Sequence, residues 1–144
     1  MHTTPATCPA NGMKGKIVKT ITLKALLTPK ALATLEPREQ HHFCLDPECP
    51  VVYFGLSQTY RGEDLKVPVF QKDSGRDVPA CYCFAHTRHD LEQAVQKGIA
   101  DHIPQSIRNH IQAGRCGCEV NNPQGSCCLG NVTRTLNDFK SGQA

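Results

Sequence analysis

At 144 residues, with 39% hydrophobic and 20% charged side chains, the chain has the size and make-up of a soluble globular protein that buries about two thirds of its unfolded surface without needing disulfides. A net charge of +3 is too weak a basic bias to argue for nucleic acid, and no apolar run approaches the ~20 residues of a membrane span. The outlier is cysteine, with nine residues.

In chain order, Met1-His2-Thr3-Thr4-Pro5 lacks the basic start and apolar stretch of an export signal, which makes the cytoplasm the expected compartment. Cys8-Pro9-Ala10-Asn11-Gly12-Met13-Lys14-Gly15 reads as a knuckle-like turn with glycine supplying backbone freedom. Lys16–Thr20 alternates enough for a short strand. Leu23, Ala25, Leu26, Leu27, Ala31, Leu32 and Leu35 predict short helical turns broken at Pro29. His41–Leu45 and Val51–Gly55 flank Cys44 and Cys49 as two strands of a hairpin. Val67–Phe70 is a third predicted strand, placed at a sheet edge by Pro68. The polar, glycine-punctuated run from Lys72 to Asp77 marks a boundary between two lobes, 1–72 and 73–144.

Beyond that boundary the pattern is helical. Thr87, with Asp90 three residues on, forms an acidic variant of the capping box. The helix it starts has Leu91, Ala94 and Val95 on its apolar face and Gly98 near its stop. Asp101 starts a second helix, with Ile103, Ile107 and Ile111 on one face and Gly114 at its end. After the loop Asn121-Asn122-Pro123-Gln124-Gly125, Ser126 caps a third helix striped by Leu129, Val132, Leu136 and Phe139.

The cysteines do not suit a disulfide framework: their number is odd, Cys127 and Cys128 are adjacent, and one residue separates Cys81 from Cys83. Clustered thiols in a reducing compartment point to metal, because a bound cation stabilises the thiolate; redox disulfides and inert buried thiols are the alternatives. Cys8, Cys44 and Cys49 form one group. Cys81, Cys83, Cys116, Cys118, Cys127 and Cys128 form another, and Gly55–Pro79 contains none. Two separate sites follow. An iron–sulfur cluster takes four thiolates from different segments. Cys81 and Cys83 face one way along an extended chain, and Cys118 with Cys127 or Cys128 approaches from the far side. Helices beginning at Thr87 and Ser126 would favour the anionic sulfurs. Spacing alone leaves a second zinc site or a redox dithiol open.

Cys81-Tyr82-Cys83-Phe84, followed by a two-helix spacer and a returning cysteine loop, resembles the bacterioferritin-associated ferredoxin module, a small helical [2Fe-2S] domain. Phe43-Cys44, Cys49-Pro50-Val51-Val52-Tyr53-Phe54, Cys81-Tyr82-Cys83 and Asn122-Pro123-Gln124-Gly125-Ser126-Cys127-Cys128 together resemble the N-terminal domain of copper chaperones of the CopZ type. This resemblance runs from Cys8 to Val132. It implies an α+β fold: a small zinc-ribbon-like β lobe, then a helical [2Fe-2S] lobe of the bacterioferritin-associated-ferredoxin type.

The implied cluster ligands are Cys81, Cys83, Cys118 and Cys128, with Cys127 as the alternative fourth and Cys116 spare. Asn122, Pro123 and Gly125 would shape the turn presenting Cys128, otherwise as ordinary loop residues. The implied zinc is structural and sits on Cys8, Cys44 and Cys49. Asn11 stands where the family has its second knuckle cysteine, which leaves the fourth ligand to His2, His41, His42 or water. His86 and His89 read as solvated helix residues, with a Rieske-like iron role as the rival. Tyr53, Phe54 and Phe84 read as core or cluster-shielding side chains.

No acid–base pair and no glycine-rich phosphate loop is visible, so a non-enzyme is expected. The resemblance implies a role in copper homeostasis: one-electron transfer, with weak metal reductase activity, turning Cu(II) into the Cu(I) that soft thiolates carry. Its implied partners are a copper chaperone or copper-transporting ATPase and an electron-donating reductase, with no nucleic acid. Cys116 or Cys127 would hold Cu+ transiently. The Met-x-Cys-x-x-Cys copper domain of full-length chaperones does not occur in this sequence, so copper delivery calls for a separate partner. The rival readings are a zinc-ribbon interaction module without redox activity and a stand-alone ferredoxin-like electron carrier.

Overall fold

A computed structural model describes residues 7–142; His2, a candidate zinc ligand, lies outside them. The first half builds a four-stranded antiparallel sheet from β1 (Lys16–Val18), β2 (His41–Phe43), β3 (Val51–Phe54) and β4 (Thr59–Arg61), in that spatial order. The predicted hairpin is present: His42 faces Phe54 and Phe43 faces Tyr53 across β2 and β3. The third partner differs. Val67–Phe70 is not a strand, and β4 holds the edge. Pro68 supplies no N–H for a ladder, and the Val69 carbonyl instead accepts from the amides of Lys72 (3.0 Å) and Asp73 (2.8 Å) in a turn. Val69 still buries its side chain in the core, so its apolar signal is satisfied without pairing.

Between β1 and β2 run α1 (Thr20–Leu26) and α2 (Pro29–Leu32). Pro29 opens α2 where a break was expected: it occupies the first turn, where a missing N–H costs nothing. Thr28 caps that turn through its hydroxyl, accepting from Ala31 N at 3.3 Å. The lobe's core joins Leu23, Leu26 and Leu27 to Phe43, Val52, Tyr53 and Tyr60.

The second half begins with a two-stranded ladder, β5 (Pro79–Cys81) and β6 (His86–Thr87), which periodicity did not predict. Four helices follow: α3 (Arg88–Gln96), α4 (His102–Gln112), α5 (Cys118–Asn121) and α6 (Leu129–Lys140). The α3 capping box forms as read, with Asp90 N on Thr87 Oγ1 and Thr87 N on Asp90 Oδ2, both 3.1 Å. Asp101 stands immediately before α4 as expected, without a side-chain cap hydrogen bond, and one other start differs. Cys128, and not Ser126, is the residue before α6; the Ser126 hydroxyl accepts from Lys16 Nζ at 2.6 Å instead. Ala80, Leu91, Ile107, Val132 and Leu136 pack around Cys81 and Cys128.

The two halves are joined by the loop from Asn122 to Ser126, which is far from an ordinary connection. Tyr53 donates its hydroxyl hydrogen to Pro123 O at 2.5 Å, and Thr22 Oγ1 donates to Glu119 O at 2.6 Å. Asn122 is 1% exposed, with its side-chain nitrogen on Ser126 O at 3.1 Å. Gly125 has φ +74°, and a Cβ there would lie 3.2 Å from Thr22 Oγ1 and 3.3 Å from Val18 Cγ1, so both conformation and space require glycine. No helix among the described residues is long and apolar enough to cross a membrane.

Candidate metal centres

The first centre assembles three segments of the N-terminal half. Cys8 sits in a turn closed by Cys8 N to Met13 O (2.7 Å) and Gly12 N to Cys8 O (2.8 Å). Gly12 takes φ +72° there. Cys44 leaves β2 with its amide on Val52 O at 2.9 Å, and Cys49 closes the following turn with its amide on Asp46 O at 3.2 Å. All three sulfurs are buried and lie within 4.8 Å of one another, with Cys8 and Cys49 3.8 Å apart. Tetrahedral zinc with Zn–S bonds of about 2.3 Å sets its sulfurs about 3.8 Å apart, so the set fits a zinc ion.

The surroundings favour thiolate at one end more than the other. Burial raises the Cys8 thiol above its ordinary value, although the Ala10 and Asn11 amides point at its sulfur. Burial acts on Cys44 too, but there N–H donation from Asp46 and Asn11 and the charge of Lys72 outweigh it and bring the thiol down. The Asn11 amide nitrogen is 3.3 Å from Cys44 Sγ. Lys72 reaches Asp46 O (2.7 Å) and Cys49 O (3.1 Å) with its ammonium. The candidate histidine ligands point elsewhere. His41 has Nδ1 3.0 Å from Glu39 O and Nε2 3.2 Å from Gln58 Oε1. His42 stacks on Phe54 with ring centroids 5.5 Å apart. Neither joins the three sulfurs.

The second centre gathers Cys81 from the end of β5, Cys83 from the turn after it, Cys118 from the first residue of α5 and Cys128 from the start of α6. Cys83 and Cys118 are 3.6 Å apart at sulfur. The Cys128 thiol lies within hydrogen-bonding reach of both Cys118 and Cys81. Its donation to each lowers Cys118 to about 6 and Cys81 to about 7, and raises Cys128 itself. No three of these four sulfurs fall within 4.8 Å of one another. The four sulfurs thus run as a chain of neighbours, Cys83–Cys118–Cys128–Cys81, and not as one three-sulfur group like that of the first centre.

Backbone and amide N–H groups surround these sulfurs. Gly117 N is 3.2 Å from Cys83 Sγ and Asn121 Nδ2 is 3.6 Å from it. Amides of Cys83 and Phe84 serve Cys81, and that of Cys128 serves Cys118. To hold Cys81 and Cys83 on one side, the chain from Tyr82 to Ala85 turns sharply and Ala85 takes φ +59°, a left-handed conformation that costs an L-residue about 1 kcal/mol. Cys116 and Cys127 are exposed; Cys127 accepts from Leu129 N at 3.5 Å. His89 pairs with Arg76 at 2.9 Å on the surface. His86 lies in β6, not on the expected helix, and burial lowers its pKa. Phe84 stacks on His110 at 4.1 Å. Tyr53 and Phe54 are buried on the zinc side.

Asn121, Gly117 and Lys72 escaped the reading of the sequence. None carries a spacing signal, since each acts on a sulfur or carbonyl far away in the chain. Asn11 was visible, but only as a missing cysteine.

Fold and sites together define a cysteine-rich α+β metal-binding protein with a zinc-type centre in its N-terminal half. Comparison with known proteins agrees. Residues 5–66 match the family described as a zinc binding domain, zf_CopZ. The chain is 32% identical over 95 residues to the copper chaperone CopZ of Archaeoglobus fulgidus, an alignment covering 65% of this chain and 44% of that protein. It therefore spans less than half the length of that relative. The crystal structure of the N-terminal domain of A. fulgidus CopZ superposes with a TM-score of 0.72 at 28% identity, covering 89% of this chain and 95% of that one.

Proposed function

We propose that this chain is an iron–sulfur and zinc protein of copper homeostasis, with a zinc lobe over 1–72 and a helical [2Fe-2S] lobe, of the bacterioferritin-associated-ferredoxin type, over 73–144. The observation that carries the reading is the convergence of Cys81, Cys83, Cys118 and Cys128: four sulfurs brought from β5, the turn after it and the starts of α5 and α6, each beside the next and spread over more than one three-sulfur group. Four thiolates in that form suit two bridged irons. Such a cluster supplies a one-electron couple, with Cu(II) as the substrate reduced to Cu(I). The likeness to a copper chaperone supports this choice of substrate.

The chain's own residues hold the centre in an anionic, protected state. Cys118 and Cys128 lie at the first residue of α5 and the residue before α6, and the Cys128 amide donates to the Cys118 sulfur. Gly117 and Asn121 donate to Cys83; such N–H contacts withdraw charge from sulfur and set the potential. Cys81 and Cys128 are buried, while Cys83 and Cys118 are only partly so, giving one edge through which an electron enters and leaves. In this reading the chain works in the cytoplasm as an electron carrier and not as an enzyme, apart from a weak metal reductase activity. A reductase delivers the electron, and a copper chaperone or copper-transporting ATPase takes the Cu(I). Cys127, exposed beside Cys128, remains the alternative fourth ligand, and with Cys116 a transient Cu(I) holder.

The test is a Cu(II) titration of the anaerobically reduced protein in the presence of a Cu(I) chromophoric chelator. The reading expects about one Cu(I) per reduced cluster, with the visible spectrum returning to its oxidised form. A reduced protein that leaves Cu(II) unreduced while staying reduced itself would refute it.

A further inference from the structure

The N-terminal three-sulfur set lacks a fourth donor among the described residues, and the side chain beside it is turned the wrong way to be one. Asn11 approaches through its amide nitrogen, 3.3 Å from Cys44 Sγ and 3.2 Å from Asp46 Oδ2. Its oxygen accepts from Met13 N at 2.8 Å. The partners fix this orientation. An ionised carboxylate only accepts and a backbone N–H only donates, so a flipped amide would set oxygen against oxygen and N–H against N–H. Zinc takes oxygen, nitrogen and sulfur lone pairs; the carboxamide nitrogen has none to offer, and the oxygen is committed elsewhere. No imidazole or carboxylate of the described residues joins the three sulfurs.

Charge points the same way. Zn2+ on three thiolates leaves a net −1, to which the neighbouring Asp46 carboxylate adds another negative charge, against the single ammonium of Lys72 held over the Asp46 and Cys49 carbonyls. A fourth anionic donor would add to this excess of negative charge, with no second cation among the hydrogen-bond partners of these loops in the described residues. Cys49 and Lys72 also border a cleft of about 580 Å3, with Glu48 and Pro50 along its wall, which brings solvent up to this side of the site.

We infer that the N-terminal centre binds zinc through Cys8, Cys44 and Cys49 alone, with a water from solution as the fourth ligand and Asn11 as an outer donor to Cys44. The inference rests on the zinc reading above. A four-ligand structural site is closed, whereas a site with three protein ligands keeps a position through which other ligands enter. The metal here therefore exchanges with solution, and is not sealed for the life of the fold.

The experiment is X-ray absorption at the zinc edge on the full chain, with release of zinc to a chelator timed in parallel. Wild-type protein should show three sulfurs at about 2.3 Å and one light atom at about 2.0 Å, without the outer-shell pattern of an imidazole. Asn11→Cys should convert this to four sulfurs. Outer hydrogen-bond partners alone are worth roughly 10–100-fold in metal affinity, so a fourth thiolate should slow release at least about tenfold. His2→Ala should change neither result. A four-sulfur shell in the wild type, an imidazole signature lost in His2→Ala, or equally fast release from Asn11→Cys would overturn the inference. Protein that folds, carries its iron and binds no zinc at all would overturn the zinc reading itself, and the inference with it.

Discussion

Cys128 has two roles that pull on the same atom. It is the residue before α6, where unpaired N–H groups and the helix dipole favour negative charge, and its thiol interacts with those of both Cys81 and Cys118. Its neighbour Cys127 is exposed and accepts only from Leu129 N. The two cysteines, indistinguishable by spacing, are therefore separated by burial. Cys128→Ser should abolish most visible absorbance and cut bound iron, whereas Cys127→Ser should retain both; the reverse outcome would move the fourth ligand to Cys127. The grouping of the cysteines into two clusters was legible from their spacing, whereas the choice of ligands within the second came from the family resemblance and not from spacing. Asn121 was not legible, since its amide reaches Cys83 across the fold from a four-residue helix that no periodicity marks. Asn11 was half legible: a cysteine missing from a knuckle is visible in the sequence, but the direction of the amide that replaces it is not.

At the scale of elements, local chemistry decided what could be read. The start of α3 was legible because Thr87 and Asp90 satisfy each other's backbone amides within four residues. Thr87→Ala should therefore cost about 1 kcal/mol of stability by denaturant titration, with the iron content unchanged; no loss would show that tertiary contacts alone set the helix start. Ser126 failed as a cap because Lys16, from the other half of the chain, engages its hydroxyl, while Asn122 of its own loop holds its carbonyl. The strand β4 escaped because it has three residues with a single buried side chain, Tyr60. The ladder β5–β6 escaped for a related reason. It exists to fold Cys81 and Cys83 back on themselves, at the expense of a left-handed Ala85, and apolar patterning records no such constraint.

At the scale of the molecule, the α+β order of a sheet followed by helices was legible, but the joint between them was not. The loop from Asn122 to Ser126 reads as turn chemistry, yet it is wedged against α1 and β3. Tyr53, on the strand that ends near the zinc-side sulfurs, is bonded to the loop that presents Cys128. Tyr53→Phe leaves the Pro123 carbonyl without its buried donor, a loss of roughly 1–3 kcal/mol. It should also raise the rate at which iron is lost to a chelator, because the Cys128 loop is less firmly held. Unchanged stability and iron retention would mean that the clip is dispensable.

The central claim is that four sulfurs of the second half meet around a pair of irons. Anaerobic purification followed by iron and acid-labile sulfide analysis, with EPR after dithionite, tests it most directly. The account predicts coloured protein with two irons and two sulfides per chain and a spin signal of one unpaired electron that appears on reduction. Colourless protein containing zinc but no labile sulfide, and silent after dithionite, would contradict it.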